Sequence, residues 1–141
     1  MKNYINQRRL LTYINNTIFV TTILVFPSIG YANPTGAQVV SGQVNFSQAA
    51  GKLTVQNTPN AIVNWNNFSI NKNEITQFIQ QSSQSAILNR VVGQNPSQIL
   101  GQLISNGRVF VINPNGIVFG ANSRVDTQGL VASSLNLSNQ D

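Results

Sequence analysis

The sequence predicts an all-β protein in which short strands are wound into a coiled solenoid. Its apolar segments are brief, rich in Val, Ile and Phe, and separated by turns rather than by helices, which is typical of strands that lie half buried in a sheet. One cycle of strand, turn, strand, turn and strand occupies residues 108–130. That length falls at the short end of known solenoid repeats.

The clearest turn lies at Asn113-Pro114-Asn115-Gly116, between the apolar runs 108–112 and 117–120. Asn at the first position can bond its own backbone, Pro at the second presets φ, and Gly suits the fourth position of a type I turn. The alternative is an antiparallel hairpin with Asn115-Gly116 as its loop. That hairpin would place Pro114 in a strand, which only an edge strand tolerates. We favour a corner turn, because it lets the chain climb onward as a coil.

The composition excludes most catalytic chemistry. The chain has 141 residues, the size of one domain, with no His, no Cys and three acidic residues. Thiolate and imidazole metal ligands and Ser-His or Cys-His nucleophile pairs are therefore absent from it. Glu74 and Asp126 could meet as a carboxylate pair, but we interpret them as surface groups or turn caps. We predict a protein that is not an enzyme and needs no cofactor or metal.

The formal net charge of +5 does not indicate nucleic-acid binding. Lys2, Arg8 and Arg9 belong to the extreme N-terminus, and the other basic residues are scattered without a basic run or interleaved aromatic residues. A nucleic-acid interface needs a clustered basic face. We therefore expect no nucleic-acid partner.

Residues 1–32 have the layout of a secretory signal peptide. A basic head precedes a mostly apolar stretch at 10–29, and small residues follow it. We expect cleavage between Ala32 and Asn33, which leaves an exported domain of residues 33–141. A transmembrane anchor is the alternative, but the polar residues that interrupt the apolar stretch weaken a stable span.

The exported part begins with a predicted hairpin. Residues 43–47 and 52–56 alternate polar and apolar positions around a short connection that ends in Gly. Such a hairpin could cap the first coil, because the terminal strands of a solenoid otherwise expose unpaired edges. Residues 74–80 fit both helical and strand spacing, and their neighbours favour a strand.

The remaining apolar segments complete the predicted coil. Stacking residues 130–137 over 109–112 would bury Val and Ile in a column, and Trp65 is expected in the core rather than on a ligand platform. No closing element follows the last strand, so we expect additional chain beyond Asp141.

Several short motifs occur in one order over about residues 37–141. They are Asn64-Trp65, Phe68-Ser69-Ile70, Ser85–Val91 with Asn89 and Arg90, Asn95-Pro96-Ser97 with Ile99 and Gly101, Gly107–Phe110, Ile112–Ile117 and Gly129–Leu135. In this order they resemble the haemagglutination-activity domain, the N-terminal secretion domain of two-partner-secreted exoproteins such as filamentous haemagglutinin and high-molecular-weight adhesins. A second family motif, Asn-Pro-Asn-Leu, is absent, and the polar stretch 80–84 lies in its place. This departure suggests the adhesin-like branch.

The resemblance implies a right-handed parallel β-helix with N-terminal capping strands and no catalysis. It also implies export by the Sec machinery to the periplasm, recognition there by the POTRA domains of a dedicated outer-membrane β-barrel transporter, and release to the cell surface or the medium. The family's secretion or folding motif falls on Asn113, Pro114, Asn115, Gly116 and Ile117. A secondary motif comprises Asn89, Arg90, Asn95, Pro96, Ser97 and Gly101. Host-cell receptors would be bound by chain downstream of this domain.

The composition also suggests a mechanism of recognition, and the residues leave three alternative functions to consider. An unfolded, weakly charged chain rich in Asn and Gln could pair its backbone with a partner's sheet edge and then fold coil upon coil outside the cell. The turn at 113–116 could contact the transporter or shape the fold, and we favour the structural role. A free-standing adhesive or carbohydrate-binding solenoid would expose an aromatic platform, for which the sequence gives a poor signal. A polysaccharide lyase or hydrolase would need more acidic residues than the three present. A truncated remnant of an exoprotein is the third alternative.

Overall fold

A computed structural model describes residues 33–135, and these are wound into about four coils of a parallel β-helix. The described part contains twelve strands and no helix. The strands are β1 (Gln38–Ser41), β2 (Val44–Ala49), β3 (Lys52–Asn57), β4 (Ala61–Trp65), β5 (Ile75–Gln80), β6 (Ala86–Val91), β7 (Ser97–Ile99), β8 (Gln102–Ser105), β9 (Arg108–Ile112), β10 (Ile117–Phe119), β11 (Arg124–Asp126) and β12 (Gly129–Ser133). No helix long and apolar enough to cross a membrane occurs among residues 33–135.

The strands lie in three sheets that form the faces of the coil. Two sheets have five strands each, in the orders β2-β3-β5-β8-β11 and β1-β4-β6-β9-β12, and the third pairs β7 with β10. The strands of successive coils pair in parallel: Arg108 aligns with Gly129, and Val109 with Leu130, an offset of 21 residues. Among the described strands, antiparallel pairing occurs in β1–β4 and β2–β3. Both pairs lie at the N-terminal end, where they form the cap.

Alternating side chains point into the coil and stack in columns. In β3 and β6 every second residue is buried, and parallel register places Val55 against Phe78 and Ile87 against Val109. Such columns fill the interior because aligned apolar side chains pack directly on one another. Trp65 is 1% exposed, with edge-to-face contacts to two Phe rings at 5.6 and 5.8 Å between centroids. Its predicted place in the core is confirmed.

The corner turn at residues 113–116 is confirmed, and the hairpin alternative is wrong. Gly116 N donates to Asn113 O at 2.9 Å and closes the turn. The strand before it, β9, pairs with β6 and β12, whereas the strand after it, β10, pairs with β7. The chain therefore changes face at Pro114 and continues around the coil.

Three further predictions are confirmed. The N-terminal hairpin is formed by β2 and β3, although the buried positions lie on β3 while β2 is largely exposed at the sheet edge. The ambiguous segment 74–80 forms the strand β5. The last described strand, β12, stacks on β9 as expected. The predicted signal peptide, residues 1–32, and the end of the segment 130–137 lie outside the described residues.

The two internal acids occupy unrelated positions. Glu74 is 5% exposed, and its Oε2 accepts a hydrogen bond from Asn71 N at 3.0 Å, so it caps the turn before β5. Asp126 is exposed and pairs with Arg124 at 3.0 Å. An exposed ion pair of this kind contributes little to stability.

Candidate functional site

The residues of the main predicted motif join two corner turns that lie one above the other. The side chain of Asn113 is fully buried. Its Nδ2 donates to Asn95 O at 3.0 Å and to Ser97 Oγ at 2.9 Å, both in the corner of the coil below. Its Oδ1 accepts from Asn115 N at 2.9 Å, within its own turn. The side-chain amide of Asn113 thus holds its own turn in shape and helps to fix the distance between this turn and the turn below.

Asn115 adds a second connection between the same corners. Its Nδ2 donates to Gly93 O at 2.9 Å and to Asn113 Oδ1 at 3.2 Å. Backbone bonds continue the contact, since Ser97 N donates to Gly116 O at 2.9 Å. Each turn is therefore bonded to the turn beneath it through side-chain and main-chain groups.

The other members of the motif shape the backbone. Pro114 is exposed and lacks an N–H, so it presets φ without leaving an unpaired donor. Gly116 has φ 105°, a region that side chains rarely adopt. Ile117 opens β10, aligns with Ser97 and packs against the core. The five motif residues together turn the chain from one face to the next.

Asn89 lies on β6, inside the coil rather than in a corner turn. It is fully buried and aligned between Val63 and Val111 in an otherwise apolar column. Its Oδ1 accepts from Trp65 Nε1 at 3.0 Å, and its Nδ2 donates to Phe110 O at 3.2 Å. These partners compensate the amide for its burial. Arg90 follows on the outer side of β6 and is partly buried.

Gly101 occupies a different corner, between β7 and β8. It is buried, and a Cβ there would overlap the carbonyl oxygens of Asn71 and Glu74. Only Gly fits where two turns approach so closely. Pro96, between Asn95 and Ser97, is exposed.

The structure therefore divides the predicted site residues into separate groups. It brings together Asn95 and Ser97 with the motif at 113–117, whereas Asn89, Arg90 and Gly101 belong to other parts of the coil. The side chains of Asn89, Ser97 and Asn113 bond to groups within the protein. Asn95 and Pro96, by contrast, are exposed and line an open surface cleft. No group of three or more acidic residues that could hold a metal ion occurs among residues 33–135.

A second amide network was missed in the sequence. Asn106 Oδ1 accepts from Gln80 N at 2.7 Å, and Asn106 Nδ2 donates to Gln80 O at 2.8 Å. Gln80 Nε2 in turn donates to Ser105 Oγ at 3.1 Å and to Arg108 O at 2.9 Å. In the sequence, only the turn at residues 105–107 pointed to this network. Gln80 could not be linked to it, because Gln80 is 25 or more positions away from each of these partners.

Asn33, the residue expected after signal cleavage, is 1% exposed. Its Oδ1 accepts from Thr76 Oγ1 at 3.1 Å. Ala32 lies outside the described residues.

Comparison with known proteins identifies the family. The sequence model of the protein family called the TPS secretion domain matches residues 30–141 of this chain. A heme/hemopexin-binding protein of Haemophilus influenzae strain Rd is 35% identical over 130 residues, which are 89% of this chain and 14% of that protein. A second heme/hemopexin-binding protein of Haemophilus influenzae is 30% identical over 131 residues, with the same coverage. The chain thus spans 14% of the length of these curated relatives.

A solved structure agrees with the fold. The HMW1 secretion domain from Haemophilus influenzae superposes with a TM-score of 0.75 at 42% identity, over 77% of this chain and 29% of that chain. Domains of this family serve two-partner secretion in exoproteins of Gram-negative bacteria, have a cognate outer-membrane transporter, and are in general not catalytic. From its stacked coils, its antiparallel cap and these matches, the chain belongs to the TPS secretion domain family of haemagglutinin-like exoproteins.

Proposed function

We propose that this chain is the non-catalytic secretion signal of a larger exoprotein, which it directs across the outer membrane through a dedicated two-partner transporter. The observation that carries the proposal is the family match over residues 30–141, which extends over every coil described here. The small share of the curated relatives that the chain covers supports a role as one part of a longer protein.

The POTRA domains of the transporter are proposed to bind this chain before it folds. The chain is rich in Asn and Gln and carries only 8% charged residues. Its backbone can therefore pair with a partner's sheet edge without strong electrostatic attraction or repulsion. Folding then follows outside the cell. In-register parallel pairing between coils supports growth by stacking, because each completed coil presents a ladder to the next.

The motif at residues 113–117 is proposed to shape the coil rather than to contact the transporter. The buried side-chain amide of Asn113 makes four hydrogen bonds within the protein, and both of its amide hydrogens are used in them. Pro114 is exposed, so its substitution can test a transporter contact with little effect on the folded coil.

Export is proposed to begin with Sec and with removal of residues 1–32. Cleavage between Ala32 and Asn33 would create the mature N-terminus at the base of the β-helix. The product would then pass through the periplasm to the cell surface or the medium.

The complete exoprotein is proposed to be an adhesin that binds host-cell receptors through chain downstream. A heme- or hemopexin-binding exoprotein is the second candidate, which the names of the two curated relatives favour. We assign no haem-binding residue in residues 33–141, since they contain no His, Cys, Met or Tyr to serve as an axial ligand. A free-standing adhesive solenoid has less support, because Trp65 is buried in the core and cannot serve as an exposed platform for a ligand.

Co-expression with a candidate transporter tests the proposal. The chain is produced in a Gram-negative host with the transporter, without it, and with a transporter whose POTRA domains are deleted. We expect the product in the culture medium in the first case alone. Equal amounts in the medium without the transporter would refute the proposal. Periplasmic β-lactamase in the medium serves as the control for cell leakage.

A further inference from the structure

Two Asn-Gly dipeptides occur in the sequence, Asn106-Gly107 and Asn115-Gly116. Both lie between strands, the first just before β9 and the second just before β10. Asn is a chemically labile residue, and a following Gly makes it more so, because Gly has no Cβ to hinder attack of its own nitrogen on the preceding side chain. Whether these two amides survive therefore depends on how the fold holds them.

Asn106 is held at both ends of its amide by the main chain of the neighbouring coil. Its Oδ1 accepts from Gln80 N at 2.7 Å, and its Nδ2 donates to Gln80 O at 2.8 Å. The nitrogen of the next residue, Gly107 N, donates to Ser105 Oγ at 3.0 Å. Gly107 is buried, and a Cβ there would lie 2.7 Å from the Gln80 side chain. Both the attacking nitrogen and the amide that it would attack are therefore fixed.

Asn115 is held in a comparable way, although it is exposed. Its Nδ2 donates to Gly93 O at 2.9 Å and to Asn113 Oδ1 at 3.2 Å. Gly116 N donates to Asn113 O at 2.9 Å. Open space surrounds Gly116, since nothing lies within 4 Å of the place that a Cβ would take. Hydrogen bonds, rather than close packing, hold this second pair.

The side-chain nitrogen of each Asn faces a main-chain carbonyl of the neighbouring coil. Deamidation replaces this nitrogen by a carboxylate oxygen, which accepts hydrogen bonds and donates none. Two acceptors would then meet at Gln80 O and at Gly93 O, which lie 2.8 and 2.9 Å from the amide nitrogens of Asn106 and Asn115. The contacts that stabilise either amide in the coil are therefore unfavourable for its product.

We propose that the two Asn-Gly pairs limit how long the chain can remain unfolded and still form the β-helix. In the unfolded chain, the Gly nitrogen attacks Cγ of the preceding Asn. A C–N bond forms, and Nδ2 leaves as ammonia with the proton of the attacking N–H. One water then opens the five-membered imide to aspartate or isoaspartate. Folding stops this reaction, whereas reaction before folding hinders the two corners from closing.

This chemistry goes beyond the proposed secretion role and does not depend on it. It requires only water and an unfolded chain, and no enzyme, oxidant or cofactor takes part. Where a transporter accepts the chain before folding, the reaction limits the time that the chain can wait for it. The limit is then a property of the chain itself.

A comparison of conversion rates tests the protection by folding. The full chain of residues 1–141 is kept in mildly alkaline buffer with detergent, either folded or unfolded in guanidinium chloride. Peptide mass spectrometry measures conversion at Asn106 and Asn115. We expect both to convert in the unfolded chain and at least about tenfold more slowly in the folded chain, because several hydrogen bonds must open before the nitrogen can attack.

Refolding tests the consequence of conversion. The aged chain is diluted out of denaturant, and recovery of the circular dichroism signal is compared with that of freshly unfolded chain. Asn106→Asp and Asn115→Asp reproduce one product without ageing. Asn122→Asp is the matched control, because it adds the same charge at an exposed position in another corner. We expect the first two variants to lower the folding equilibrium constant at least about tenfold relative to the control.

The remaining outcomes contradict the proposal. Equal conversion rates in the folded and unfolded chain, at either Asn, overturn it. Full refolding of the aged chain also overturns it, as does stability of both Asp variants equal to that of Asn122→Asp. Secretion that does not depend on the transporter would refute the proposed function and leave these rates unchanged, so the two failures are distinguishable.

Discussion

Asn113 Nδ2 donates a 2.9 Å hydrogen bond to Ser97 Oγ, which joins the corner of one coil to the corner of the coil below. The two residues are 16 positions apart, and both are fully buried. The same amide also reaches Asn95 O and Asn115 N. A single side chain therefore supplies several of the bonds that set the spacing between the two corners.

Replacing Asn113 with Ala is expected to lower the free energy of unfolding by about 2–4 kcal/mol, because it leaves buried polar partners unsatisfied. Urea unfolding of a purified fragment, residues 33–141, provides the measurement. Asn122→Ala serves as the control, since Asn122 is exposed in another corner. A loss at Asn113 no larger than that of the control would show that the corner bonds do not stabilise the coil.

Asn89→Leu is expected to destabilise the domain by about 1–3 kcal/mol, because Trp65 Nε1 loses its acceptor in the coil interior. Trp65→Phe removes the donor, so the double variant should be more stable than the sum of the two single losses predicts. Unfolding followed by circular dichroism measures all three variants. Strict additivity would contradict the assigned coupling between the two side chains.

Glycine substitutions should distinguish two causes of instability, a lack of room for a Cβ atom and an unfavourable backbone conformation. Gly101→Ala is expected to prevent folding or to cost about 3 kcal/mol or more, because its Cβ overlaps two carbonyl oxygens. Gly116→Ala should cost about 1–3 kcal/mol, because no atom lies within 4 Å of its Cβ but its φ is +105°. Gly129→Ala is the control, with an ordinary 3.4 Å contact to Arg108.

These three variants are compared by thermal melting of the same purified domain. The reverse order, with Gly116→Ala less stable than Gly101→Ala, would show that close approach at the corner is less restrictive than the left-handed backbone conformation. A large loss at Gly129 would show that any Cβ on these strands disturbs the coil.

Pro114→Ala tests the transporter contact at the main motif. Pro114 is exposed, so the substitution should change stability by no more than about 1 kcal/mol. If the motif acts through folding, secretion of this variant matches that of the unsubstituted chain, whereas Asn115→Ala and Gly116→Ala reduce both folding and secretion. Normal folding together with lost secretion, in any of the three variants, would favour direct contact. The assay is the co-expression experiment with its leakage control.

The sequence predicted those elements whose signals are local. The turn at 113–116 contains its own Asn, Pro and Gly chemistry, and the β2–β3 hairpin shows alternating polarity. β5 was favoured as a strand by its neighbours, and its own sequence does not show which face is inside: Thr76, Phe78 and Gln80 are buried, whereas Ile79 is exposed. The strand β1 was missed because its four residues are all exposed and it is ordered by antiparallel pairing with β4, more than 20 positions away. The interior place of Asn89 could not be predicted either, since its partner Trp65 is 24 positions away. The separation of Gly101 from the Asn95–Ser97 corner likewise depends on how the coils stack.

The connections between neighbouring corners are made by amide, hydroxyl and carbonyl groups, none of which changes protonation in the physiological range. Dissolved ions weaken attraction between exposed charges far more than short bonds between neutral buried dipoles. The bonds between these corners should consequently tolerate acidification and changes of ionic strength, a useful property for a secreted polypeptide whose surroundings the producing cell does not control.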